Sequence, residues 1–286
     1  MADLAAGIAV IPVDGVPGSY TANVDRAWEI WGPCGGYIAG IALNAAGAVS
    51  RFSRPASFTC HYLGVAAFEP IDIVVRTVRS GRATESLAVS LTQGGRPILE
   101  AMVLAVTDPA PGVLAHHTAV MPEVPPPRTL RSVAERMAEI DLPAPYPFWT
   151  NIDSRVTQWR DDWPPSEPLD PVWQQWQRFI EPETFADPWV DAVRSVIWID
   201  VGGWPAANGH YAWQAPPWVA VNVDLYVAFH NPRPDSAFLL LDSEASVAGD
   251  GLVGYRCSTW SEDGVLVASG GGQLWCRRSD GYVPDS

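Results

Sequence analysis

Two stretches of the chain share one order of apolar and polar positions: an apolar run of helical length, then segments in which apolar and polar residues alternate. They cover residues 35–106 and 187–277, and two such copies suggest a protein that carries its own pseudo-dimer. In the first, Gly35-Gly36-Tyr37-Ile38-Ala39-Gly40-Ile41-Ala42-Leu43 and the Ala-rich residues up to Val49 predict an apolar helix. Alternation then predicts strands over 58–63, 71–79, 87–93 and 98–106, with Gly94-Gly95 at a hairpin tip. In the second, Asp187 is an N-cap residue before Pro188, which suits a first helical turn, and the helix is expected to run to Gly202-Gly203. Strands are expected over 218–230, 238–247, 252–261 and 265–277, the last two joined by a turn at Asp263-Gly264.

Between the copies, Pro109, Pro111, Pro122 and Pro125-Pro126-Pro127 mark a linker that crosses the surface, with a short helix over 129–140. Residues 153–159 and 172–180 can open the second copy as strands around the loop Trp163-Pro164-Pro165, and the tryptophans here read first as core and linker packing. The expected division is an N-terminal unit over 1–106, a linker over 107–150 and a C-terminal unit over 151–286.

Composition narrows the class. With 286 residues and 48% hydrophobic content the chain can fill a sizeable core. No apolar run is long enough to span a bilayer and no basic secretory start is seen, so a cytoplasmic location without membrane association is expected. Cys34, Cys60, Cys257 and Cys276 show neither close pairing nor metal-type spacing, which favours reduced, buried thiols and no metal. A net charge of −14 opposes nucleic-acid binding. The sequence contains no lysine, so lysine Schiff-base chemistry and a P-loop lysine are excluded. Nucleophile-elbow, paired-histidine zinc and dinucleotide-binding motifs are absent too.

Asp200 is the sharpest chemical signal. On a helix starting near Pro188 it falls on the side of Trp189, Val193, Val196 and Ile197, whereas Asp191 and Arg194 project elsewhere. Burying a carboxylate costs several kcal/mol unless hydrogen bonds compensate, so Asp200 is either a functional acid or a structural cap near the helix end. Along 221–230, alternation places Asn222, Asp224, Tyr226 and His230 opposite Val221, Val223, Leu225, Val227 and Phe229; the polar face lines a cleft or is simply solvated. Gly270-Gly271-Gly272-Gln273 permits a bulge that would redirect Gln273, although a strand glutamine is more often a surface residue.

The order and spacing of several fragments resemble the double-hotdog acyl-CoA thioesterases, in particular the bacterial acyl-CoA thioesterase II group. They are Gly35-Gly36, Gln93-Gly94-Gly95-Arg96-Pro97-Ile98, His117-Thr118-Ala119-Val120-Met121-Pro122, Val223-Asp224 before Phe229-His230, and Asp263-Gly264-Val265-Leu266-Val267-Ala268-Ser269. The resemblance covers most of the chain. It implies an α+β fold, a double hotdog in which two curved antiparallel sheets each wrap a long helix. It also implies hydrolysis of a fatty acyl-CoA to free acid and CoA by a directly activated water, without a cofactor.

Asp200 falls at the family's acid position, and Asn222 stands where the family has Thr or Ser. Gln273 is nearest to the family's glutamine, but direct counting reaches Gly272, and a one-residue bulge among the glycines would restore the match. Backbone amides near Gly35, Gly36 and Tyr37 would receive the thioester carbonyl, because a helix N-terminus offers free N–H groups and about half a positive charge. Cys34 beside them is a small buried thiol or, less readily, a nucleophile. Arg51, Arg54, Arg76, Arg79 and Arg82 offer a patch for CoA phosphates or are solvated surface. The alternatives are a non-catalytic acyl-CoA or lipid-binding hotdog protein and a hotdog hydratase or dehydratase using Asp224 with His230. The expected partner is the acyl-CoA substrate; further pairing into a homo-oligomer is left open.

Overall fold

A computed structural model describes residues 2–109, 112, 114–212 and 218–278. Pro111 of the expected linker and residues 279–286 of the expected second unit lie outside the described residues. The first half contains α1 (Leu4–Gly7), β1 (Ile11–Pro12), β2 (Ser19–Asn23), α2 (Gly35–Val49), β3 (Arg54–Tyr62), β4 (Pro70–Ser80), β5 (Thr84–Gln93) and β6 (Arg96–Val106). The connection carries α3 (Val133–Glu139), started by a capping box: Ser132 Oγ accepts the Glu135 amide and the Glu135 carboxylate accepts the Ser132 amide. The second half contains β7 (Ile152–Val156), β8 (Val172–Phe179), α4 (Pro188–Tyr211), β9 (Trp218–Asn222), β10 (Asp224–Phe229), β11 (Leu239–Gly249), β12 (Leu252–Ser261) and β13 (Leu266–Arg278). The pattern along the sequence missed α1, β1 and β2, which are too short to show a period.

Every strand pairing is antiparallel, and the described strands form one continuous 13-stranded sheet in the order β1-β2-β4-β5-β6-β3-β10-β13-β12-β11-β8-β7, with β9 also on β13. Two separate sheets were expected; instead β3 and β10 pair across the seam, Cys60 opposite Leu225 and Tyr226 opposite Thr59. That pairing uses the backbone donors and acceptors that each half would otherwise leave on a bare edge.

The sheet curls around α2 and α4, which run antiparallel in close contact. Added Cβ atoms would stand 2.7 Å from Ile197 Cα at Gly36, 2.6 Å from Val193 Cγ1 at Gly40 and 2.7 Å from the Trp189 ring at Gly47. A row of glycines on α2 therefore lets the helix backbones approach. The glycines in α4 do the same against the sheet, so Gly202-Gly203 does not end the helix. A Cβ there would meet Cys257 Sγ at 2.9 Å and the Tyr255 ring at 2.6 Å, and the helix continues to Tyr211. Asp191 and Arg194, on another side of α4, form a buried ion pair, with Arg194 also donating to the carbonyls of Arg233 and Ser236.

The expected single strand over 218–230 is interrupted. Asn222 lies opposite Leu274 on β13, whereas Tyr226 lies opposite Gly271, so Val223 and Asp224 together face Gln273. This bulge resets the alternation. Ala220 and Asn222 turn inward before it, and Leu225 and Val227 after it.

Candidate active site

Asp200 is 5% exposed and points from α4 at the first turn of α2. Its Oδ2 accepts the Gly36 amide at 2.6 Å and lies 3.8 Å from Cys34 Sγ. Its Oδ1 accepts the Tyr62 hydroxyl at 2.9 Å and the Asn222 amide Nδ2 at 2.8 Å. Burial raises the carboxyl from 3.8 to about 6, and the bonds from Tyr62, Gly36, Cys34 and Asn222 hold the shift below what burial alone would impose. An acid of that strength is ionised at neutral pH yet is a better base than an ordinary carboxylate.

Asn222 reaches Asp200 because the bulge at Val223 and Asp224 turns it inward. Its Nδ2 also donates to the Asp200 carbonyl at 2.9 Å, and its Oδ1 accepts the Tyr255 hydroxyl at 2.8 Å, so every polar atom of the side-chain amide has a partner. Tyr255 fits because Gly203 leaves room for its ring. Tyr62 closes β3 and is fixed at the bulge, its amide donating to the Val223 carbonyl at 3.0 Å. Neither tyrosine was anticipated as a site residue. The usable signal was that a tyrosine at a core-facing strand position needs a partner for its hydroxyl.

Gln273 is not brought to this cluster. The bulge among the glycines that would restore the match is absent, the irregularity lying in the opposing strand, and Gln273 projects from the exposed outer face while its amide donates to Asp224 Oδ1 at 2.6 Å. The inward position belongs to Gly272, opposite Tyr255. A Cβ there would lie 2.4 Å from the Asp224 carbonyl oxygen, so β13 approaches too closely to carry a side chain.

Gly35 and Gly36 do stand at the site: a Cβ on Gly35 would be 2.9 Å from Asp200 Oδ1. The Gly36 amide, expected to hold a carbonyl, is bonded to Asp200 in this state. Tyr37 contributes only backbone there, because its hydroxyl donates to the carbonyls of Gly7 and Asn23 and its ring stacks on Trp28 at 5.5 Å. Burial first, and then the charge on Asp200, push the Cys34 thiol far above its ordinary range, so it is no activated nucleophile. Asp224 and His230 form no acid–base pair: Asp224 accepts from the Gln273 amide, and His230 Nε2 lies 2.9 Å from Ser269 Oγ. Of the five arginines considered for CoA phosphates, Arg51 donates to the Gly81 carbonyl and Arg54 pairs with Asp108 at 3.4 Å. Among the described residues no group of His, Cys, Asp and Glu is placed to hold a metal ion.

Residues 24–106 match the family model for the acyl-CoA thioesterase N-terminal domain, and residues 122–271 match that for the C-terminal domain. The chain belongs to the acyl-CoA thioesterase family. Membership makes it a thioester hydrolase, and Asp200, Gly36 and Asn222 all lie within the matched segments. A search of curated protein sequences gives no match. Among solved structures, this thioesterase-family chain is similar to a hot dog fold protein of unknown function from Alicyclobacillus acidocaldarius, with TM-score 0.78, 22% identity, and 96% of this chain and 97% of that one covered. It is also similar to the acyl-CoA thioesterase II TesB2 of Mycobacterium marinum, with TM-score 0.76, 21% identity, and 98% and 100% covered. A third is the tesB protein of Mycobacterium avium subs paratuberculosis, with TM-score 0.75, 18% identity, and 96% and 98% covered. These likenesses show an α+β hotdog fold. No described helix is long and apolar enough to cross a membrane.

Proposed function

We propose that this chain hydrolyses a fatty acyl-CoA to free acid and CoA with water as the nucleophile and Asp200 as the base. The observation that carries the reading is the buried Asp200 carboxylate, raised to about 6 and set against the start of α2. Asp200 takes a proton from water as the oxygen bonds to the thioester carbon. The tetrahedral oxyanion is received by the amides that open α2, where the helix dipole favours negative charge. The C–S bond then breaks, and the proton held by Asp200 goes to the departing CoA sulfur. Asn222 orients Asp200, and through it the water, with an amide where the resemblance implies a hydroxyl.

The same reading treats the chain as two fused hotdog units, 1–106 and 151–286, joined by the linker 107–150, with the reaction centre at their seam. Its four free cysteines suit the reducing cytoplasm. The test is a panel of acyl-CoA thioesters with thiol detection of released CoA, with Asp200→Asn alongside. CoA release by the wild type that falls ~10²-fold in the variant is the expected result. Binding without release across all chain lengths would instead favour a non-catalytic acyl-CoA carrier.

A further inference from the structure

The seam between the halves supplies Asp200 with more than the backbone of α2. β3 of the first half ends at Tyr62 beside the bulge of the second, and two backbone bonds lock this corner: Tyr62 N–H to the Val223 carbonyl and Val223 N–H to the Gln273 carbonyl, each 3.0 Å. The bulge therefore sets two side chains from opposite halves on one atom, Asp200 Oδ1, with Tyr62 Oη at 2.9 Å and Asn222 Nδ2 at 2.8 Å. We propose that Tyr62 is a positioning residue for thioester hydrolysis, its hydroxyl fixing the Asp200 carboxylate and keeping it in the ionised form that accepts the proton of water. This rests on the reading of Asp200 as the base.

The surroundings leave that task to neutral donors. The titratable groups around Asp200 are Cys34 from the start of α2, Cys60 and Tyr62 from β3, and Tyr255 and Cys257 from β12, with Asp224 beyond on β10. Burial raises the three thiols and two tyrosines above their ordinary values, so they stay neutral around Asp200 and none offers it a positive charge. The ionised carboxylate relies on the opening of α2 and on hydrogen bonds, and Tyr62 stands first among the bonds that lower its pKa. Tyr62 stays a donor throughout the working range, since burial and the Asp200 charge carry its own hydroxyl well above 10.

Tyr62→Phe removes the hydroxyl and keeps the ring. The acid limb of the kcat/KM–pH profile is expected to move up by about one pH unit, with kcat on the plateau falling roughly tenfold and KM changing by less than about twofold. In an Asp200→Asn background the same change is expected to have no further effect, because Tyr62 acts through Asp200. Site-specific 3-fluorotyrosine at position 62, which keeps the ring and strengthens the donor, is expected to move the limb down, and it stands in for Tyr62→Phe if that variant does not fold. Carboxyl carbon NMR of Asp200 in the wild type and either variant gives the same shift without relying on turnover. An unmoved Asp200 titration, or a loss that adds fully to that of Asp200→Asn, overturns the role of Tyr62. Full activity in Asp200→Asn alone overturns the reading beneath it.

Discussion

The Gly36 amide donates to Asp200 Oδ2 at 2.6 Å and so ties the opening turn of one central helix to the middle of the other. Gly36 belongs to the first half of the sequence and Asp200 to the second, so the carboxylate acquires its environment only when the halves close on each other. Two effects oppose each other there. The helix terminus and the hydrogen bonds favour the charged form, burial favours the neutral one, and burial wins by carrying the group from 3.8 to about 6.

The first prediction concerns activity against pH. If ionised Asp200 is the base, kcat/KM rises as pH passes through about 6 and is level by neutrality, since neighbouring thiols and tyrosines do not titrate in that range. Initial rates between pH 4.5 and 8 on one acyl-CoA check it. A profile flat from 4.5 upward would mean that the ionisation of Asp200 does not govern the reaction.

Stability against pH gives a second prediction, with the opposite sense. The native pKa of Asp200 lies above its unfolded value, so the native state binds a proton that the unfolded chain has lost. The resulting stability is complete below about 4 and is gone once pH has risen through about 6. Asp200→Asn lacks this penalty. Relative to wild type, the variant is therefore expected to gain stability between pH 4 and 7, by up to about 3 kcal/mol. Urea denaturation of both proteins across that range measures the difference, and a constant offset would contradict the burial-raised pKa.

Asp200 was legible in the sequence because a carboxylate on the apolar face of a helix conflicts with its surroundings, and such conflicts mark sites. Gly35 and Gly36 were legible as a helix start, though not Gly36 as the point where the backbone of α4 comes close enough to exclude a Cβ. The position of Asn222 was legible, but its direction was not, since strict alternation groups it with Asp224 and Tyr226, which the bulge sends to the opposite face. That bulge arises from pairing of β9 and β10 with β13, a long-range match invisible to any local period. It also accounts for the place of Gln273: the glycines of β13 permit a bulge that would turn it inward, but the irregularity lies between β9 and β10, and Gln273 stays on the outer face. Tyr62 could be read locally only as a core-facing tyrosine in need of a hydroxyl partner; which partner was hidden, because Asp200 is 138 residues away.

A third prediction separates the inner from the outer face of the sheet where β9 pairs with β13. Gln273→Ala is expected to leave kcat/KM within about twofold, since surface changes away from the site are usually small in effect. Asn222→Ala strips Asp200 of a donor and leaves the Tyr255 hydroxyl without its acceptor, so turnover is expected to fall by roughly tenfold or more. Side-by-side kinetics decide the matter; the reverse order of damage would place Gln273 back in the reaction.

A fourth prediction uses the two glycines that open α2 to separate packing from chemistry. At Gly36 an added methyl would stand 2.7 Å from Ile197 Cα, a backbone atom, so α2 and α4 must part to admit it. Gly36→Ala is therefore expected to cost roughly 1–3 kcal/mol of stability, the usual penalty for overpacking, and activity should fall because the Asp200 bond is stretched as well. At Gly35 the atoms nearest the methyl are the end of the Asp200 side chain, at 2.9 Å from Oδ1 and 3.2 Å from Oδ2. The carboxylate can swing aside, but doing so breaks its bonds to Tyr62 and Asn222. Gly35→Ala is thus expected to stay within about 1 kcal/mol of wild type in denaturant while losing activity as severely as an Asp200 variant. Denaturation midpoints and turnover measured on both variants test the pair. Equal losses of stability at the two positions would show that the helices do not meet as closely at Gly36 as the 2.7 Å approach requires.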